Sequence, residues 1–281
     1  MLGSITPDYT TQIAPAATEL RVLSQPKYGG PIKRYRNYVY RKDIIQETYI
    51  YHVEFGINSA HEDFAGREPE WVILPGASEG REESPVGLPG HSTCTASKAI
   101  GNMYGASKKA KLVVVKMRSL AIRDMEEALD NTRDHILHYR RAGRSVVSIS
   151  WASPRITDRG DYINIKMIEI LRSYYDSGIY IVCSAGNYAM DLDEIGRPRT
   201  WVDTLPACYP LFPPPLTSNL NFPIVVSSCD NDGFHYQTSQ QAPSYSLSAP
   251  GVNIMCADAF TVTDVEFSTG TSFCESQNTV I

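Results

Sequence analysis

Three short segments carry residues that could do covalent chemistry. Residues 90–105 read GHSTCTASKAIGNMYG, residues 184–187 SAGN and residues 268–274 STGTSFC. The imidazole of His91 could move a proton. The Ser272 hydroxyl could attack a carbonyl, and its own backbone N–H, unpaired at a helix start, could meet the negative charge that develops. Asn187, at the end of an apolar run, could offer its amide N–H to the same charge. Singly, each also has an ordinary use: a polar helix start, a Gly-Asn turn, a helix cap. A fourth set, His52, Glu54, His61 and Asp63, could ligate a metal, since residues two apart on a strand face one side. It lacks a familiar zinc spacing, and Asp63 suits a structural turn.

Such groups act together only if secondary structure carries them to one place. Apolar or β-branched runs of strand length occur at residues 49–53, 112–115, 145–150, 179–183 and 224–227. They lack strict alternation, as strands covered on both faces do. Between the second and third runs, Ile122, Met125, Leu129 and Ile136 recur near a helical period, and Gly143 can supply the left-handed turn that ends the helix. Ile163, Met167, Leu171 and Tyr174 or Tyr175 form a second stripe, closed by Gly178. Thr93 to Met103 can form a helix beginning at His91. Strand and helix in alternation predict an α/β fold, a parallel sheet flanked by helices. Chemistry in such sheets gathers at the carboxyl ends of the strands.

In this order, the segments resemble the subtilisin-like serine protease family over much of residues 45–274. GHSTCTASKAIGNMYGASKKAKLVVVKM is similar to the family's histidine block. SVVSISWASP is similar to the strand that binds substrate backbone, and GIYIVCSAGN to the strand ending in Ala-Gly-Asn. SLSAPGVNIMCA and STGTSF are similar to the blocks before and around the nucleophile. The resemblance implies a serine endopeptidase acting on polypeptides through an acyl-serine. Ser272 would be the nucleophile, His91 the base, and Asn187 with the Ser272 N–H the oxyanion hole. Ser150, Trp151, Ala152, Ala185 and Gly186 would border the substrate. The family often carries calcium, but no ligands are assigned here, and no other cofactor is implied.

The sequence also departs from the family. VEFGINSAHEDF resembles the block that holds the third catalytic residue, with Glu54 in place of Asp and Phe55 in place of a small hydroxyl residue. The extra methylene moves a carboxylate by roughly 1.5 Å, and a misplacement of about 1 Å can cost roughly 100-fold. Ala152 stands where Gly is usual. Glu275 puts a charge where a small residue is buried. The chain stops at Ile281, where the family continues into a long buried helix, so the C-terminal part of the domain is expected to be missing. The nucleophile is then expected on a short, fraying helix. The alternative to a peptidase is an impaired or inactive homologue that keeps a peptide-binding groove.

A net charge of −5 gives no electrostatic pull toward nucleic acid or anionic lipid. No apolar run approaches the roughly 18 residues that span a bilayer. The start, without a basic n-region or an apolar h-region, does not read as a secretory signal, and localisation stays open because the family is often secreted. The six cysteines form no C-x-x-C pair and are expected as free thiols. Residues 1–40, polar and rich in Pro, read as an extension or linker before a peptidase domain over residues 41–281.

Overall fold

The computed structural model describes residues 8–12, 16–26, 30, 34–43, 46–78, 88–153, 165–211, 222–242 and 246–279. In chain order the elements begin with β1 (Tyr9–Thr11), α1 (Thr18–Ser24), β2 (Val39–Arg41), β3 (Tyr49–Glu54) and β4 (Glu70–Ile73). There follow α2 (His91–Ile100), β5 (Lys111–Lys116), α3 (Ile122–His138), β6 (Ser145–Ile149), α4 (Ile165–Asp176) and β7 (Tyr180–Ser184). The chain closes with β8 (Ile224–Cys229), β9 (Ser246–Pro250), β10 (Ile254–Ala257), β11 (Val265–Ser268) and α5 (Thr271–Gln277). Seven strands form one parallel sheet in the order β4-β5-β3-β6-β7-β8-β9, the predicted architecture.

The period of two along β3 explains why its sequence does not alternate in polarity. Tyr49, Tyr51 and Val53 enter the core built with α3 and α4, while Ile50 packs with Ala96, Ala99 and Ile100 of α2 on the other face. Both faces are apolar because both are covered. The same alternation sends His52 and Glu54 toward α2, the helix that begins with His91.

Helix α3 buries Met125, Ala128, Leu129, Thr132 and Ile136 on one stripe. Its left-handed cap is Arg140 (φ 54°), not Gly143. The N–H of Arg141 reaches the Ile136 carbonyl and that of Arg140 the Leu137 carbonyl, the paired bonds of a Schellman ending. Gly143 (φ 77°) serves the turn into β6 instead. Helix α4 ends as predicted at Gly178 (φ 67°), with Ile179 N–H on the Tyr174 carbonyl. Ile163 lies outside the described residues.

One expectation is overturned. Cys94 of α2 and Cys256 of β10 form a disulfide across 162 residues of chain. Spacing arithmetic could not find it, because the pairing exists only once the β10–β11 hairpin lies on α2. Cys183, Cys208, Cys229 and Cys274 are buried thiols. Parts of the N-terminal extension are docked. Leu20 is buried with Tyr38 and Ala106, and Glu19 accepts from the buried Lys98 ammonium (2.8 Å) and the Met255 N–H (3.1 Å). Among the described residues no helix is long and apolar enough to cross a membrane.

Candidate active site

The site is built from the carboxyl end of β3 and the first residues of α2 and α5. Gly90 takes φ 87° just before His91, and a Cβ there would meet a Glu266 carboxylate oxygen at 2.9 Å. Glycine is therefore what allows the chain to enter α2 at this point. His91 then presents Nδ1 to Glu54 Oε1 at 3.5 Å. That is longer than a usual hydrogen bond, a polar contact that becomes an ion pair only when the ring takes up a proton. The other Glu54 oxygen accepts from Ser92 Oγ (3.3 Å), which in turn accepts from the Phe55 N–H. The Phe55 side chain is buried in the main core, so the position held by a small hydroxyl residue in the family supplies packing here. The His91 ring packs on Phe273, with centroids 5.7 Å apart. Burial lowers its pKa to about 4, so at neutral pH the imidazole is unprotonated, the form a general base requires.

Ser272 is the second residue of α5, so its N–H has no intrahelical acceptor. Its hydroxyl donates to the Ser150 carbonyl (3.0 Å) rather than to His91. The Thr271 N–H donates to Asn187 Oδ1 (2.9 Å), and Thr271 Oγ1 accepts from the Gly186 N–H (3.2 Å). A backbone N–H can only donate, so the Asn187 atom facing it is the oxygen, and the NH₂ is the end left over. Gly186 takes φ 104°, and a Cβ there would overlap Gln240 Oε1 at 2.3 Å. Sequence reasoning passed over Thr271, although it stands inside the quoted STGTSF segment.

Glu54, His91, Ser150, Trp151, Ala152, Gly186, Asn187 and Ser272 line one cleft of about 170 Å³, joined by Phe55, Leu88, Leu120 and Tyr188. Ala185 lies behind it, fully buried, with its N–H on the Val226 carbonyl. The Trp151 indole N–H donates to the Val53 carbonyl (2.9 Å), fastening the end of β6 to the end of β3.

The four-residue metal set does not converge. His52 bonds the Ser92 carbonyl (3.1 Å), and His61 bonds the Asp264 carbonyl (2.9 Å) and caps the turn at Asp63. Asp63 accepts from Ser97 Oγ and the Met103 N–H. Among the described residues, no group of three or more His, Cys, Asp or Glu side chains could hold a metal ion.

Helix α5 is short, but each of its residues is buried, Glu275 included. Glu275 Oε2 accepts from the hydroxyls of Ser150 (2.7 Å), Ser148 (3.1 Å) and Ser276 (3.2 Å). Burial raises the pKa of this carboxyl to about 7, against the opposing effect of those hydroxyls.

The chain belongs to the subtilase family, whose sequence profile matches residues 52–279. It is 30% identical over 160 residues to alkaline protease 1 of Emericella nidulans, covering 56% of this chain and 36% of that protein. Subtilisin-like protease CPC735_013700 of Coccidioides posadasii is 23% identical over 222 residues, covering 78% of this chain and 47% of the relative. The chain therefore spans between about a third and a half of the length of these two relatives. Among solved structures, a cold-adapted subtilisin-like serine proteinase aligns with TM-score 0.65 and 20% identity over 94% of this chain and 82% of that one. The PatG macrocyclase in complex with peptide aligns with TM-score 0.62 and 15% identity over 82% of this chain and 73% of the other.

Proposed function

We propose that this chain carries the catalytic centre of a subtilisin-like serine endopeptidase and cleaves polypeptides through an acyl-serine intermediate. The observation that carries this reading is the meeting of Glu54, His91, Asn187 and Ser272 on one cleft. Catalysis begins when the Ser272 hydroxyl leaves the Ser150 carbonyl and gives its proton to His91 on the same cleft. His91 takes the hydroxyl proton as Ser272 Oγ bonds the peptide carbonyl carbon. Glu54, beside Nδ1, orients the ring and stabilises the imidazolium. The Ser272 N–H and the Asn187 NH₂ receive the oxyanion. The C–N bond then breaks as His91 returns the proton to the leaving amine. Water attacks the acyl-serine by the same route in reverse and releases the second product.

The test is labelling of the folded protein by a fluorophosphonate. Covalent modification of Ser272, abolished in Ser272→Ala, is the expected result. Folded protein that takes no label would overturn the reading and leave a peptide-binding homologue in its place.

A further inference from the structure

Glu275 is a buried acid that the mechanism above does not use. Its surroundings join the two elements that the mechanism needs in register. Ser148 and Ser150 come from β6 and the residue after it, and both hydroxyls point at one carboxylate oxygen, while the Ser276 hydroxyl of α5 is divided between that oxygen (3.2 Å) and the Ser272 carbonyl (3.0 Å). Ser150 is tied to the nucleophile helix a second time, because its carbonyl accepts the Ser272 hydroxyl at 3.0 Å. Ser272 and Glu275 are three residues apart on α5, hence on the same face. Ser150 is therefore held between them, by its hydroxyl on one side and its carbonyl on the other.

We propose that Glu275 is a positioning residue that pins the Ser150 peptide and, through its carbonyl, sets where the Ser272 hydroxyl rests before attack. The proposal rests on the peptidase reading for its catalytic consequence, but the link itself exists without turnover. The ionised carboxylate is the stronger acceptor for the Ser148 and Ser150 hydroxyls. A proton on the other oxygen leaves Oε2 an uncharged, weaker acceptor and so shifts the link without breaking it. The other titratable groups near it, Cys183 of β7 and Cys274 of α5, are thiols whose pKa burial pushes up, so they stay protonated at neutral pH.

The first readout needs no catalysis. In isotope-labelled full chain, the amide resonances of Ser150 and Ser272 should titrate together near pH 7. The titration should vanish in Glu275→Gln, which keeps an acceptor oxygen but cannot be protonated. In the phosphonate assay, Glu275→Ala should slow labelling per folded molecule by about 10- to 100-fold, the loss expected from a misplacement on the order of 1 Å. Glu275→Gln should recover most of that rate. Adding Ser150→Ala to Glu275→Ala should cost little more, because both act through one link. Amides that do not titrate would overturn the proposal. So would a Glu275→Ala protein that loses thermal stability while labelling at the unaltered rate per folded molecule. Titrating amides in a protein that takes no label would support the link and count against the peptidase reading alone.

Discussion

Two histidine–carboxylate pairs lie near opposite ends of the sheet, one beside Glu54 and one beside Glu70. At the amino end the bonds of His135 form a ring. Arg141 can only donate, so the Tyr51 oxygen accepts from it (2.9 Å) and the Tyr51 proton goes to His135 Nδ1 (3.0 Å). That leaves His135 Nε2–H for Glu70 Oε1 (3.3 Å), while Glu70 Oε2 takes the Arg141 guanidinium (2.9 Å). At the carboxyl end, His91 meets Glu54 through Nδ1, and no hydrogen bond joins it to Ser272 among the described residues. The two ends draw on opposite faces of one strand, since Tyr51 and Glu54 are three apart on β3. A ring whose donors and acceptors are matched fixes structure. A pair with one nitrogen uncommitted can still take up a proton in a reaction.

Substitution should separate the two most sharply. His91→Ala should lower kcat on a peptide substrate by about 10⁶-fold per folded molecule, far more than any loss of Tm accounts for. A variant that labelled as fast as the unaltered chain would remove His91 from the chemistry. Acid should weaken the carboxyl-end region next. His52 is fully buried and burial lowers its pKa to about 4, as for its neighbour His91. The unfolded chain keeps an ordinary value near 6.5 and so binds more protons between the two. Stability present above about 6.5 is lost as the pH falls toward 4, with His52 accounting for about 3 kcal/mol. A Tm that stayed flat across that window would contradict the burial of the ring in its neutral form. His135→Ala should reverse the first result, costing about 1–3 kcal/mol through the unpaired Tyr51 and Glu70 groups while labelling per folded molecule is unchanged. The smallest effect is expected for Tyr51→Phe, about 1 kcal/mol by denaturant titration, since it opens the ring at one bond.

The sheet was legible because burial on both faces writes itself into local composition, as in Tyr49–Val53 and Leu112–Val115. The residues that line the cleft stood out in the sequence only through the ordered resemblance to one family; singly, His91, Asn187 and Ser272 each had an ordinary use, and their shared cleft is a fact of the fold. What stayed hidden depends on partners distant in the chain. Glu275 reads as a misplaced charge until Ser148 and Ser150, more than 120 residues earlier, are seen to receive it. The short α5 reads as a fraying end until its burial is seen. The closing residue of α3 was misassigned for a different reason: Arg140 adopts a left-handed conformation that glycine usually marks.

The docking of α1 has a consequence for how the molecule is made. Glu19 leaves the ribosome before Met255, 236 residues later, whose amide it satisfies. Until the hairpin that bears Met255 has been synthesised, neither Glu19 nor the buried Lys98 has its full set of partners. Docking of α1 against β10 therefore waits until residue 255 has been made, and it closes a pairing of segments far apart in the chain, a slow class of event. A nascent chain stalled before residue 255 would hold an ion pair lacking its third member, and such intermediates are where chaperones or aggregation intervene.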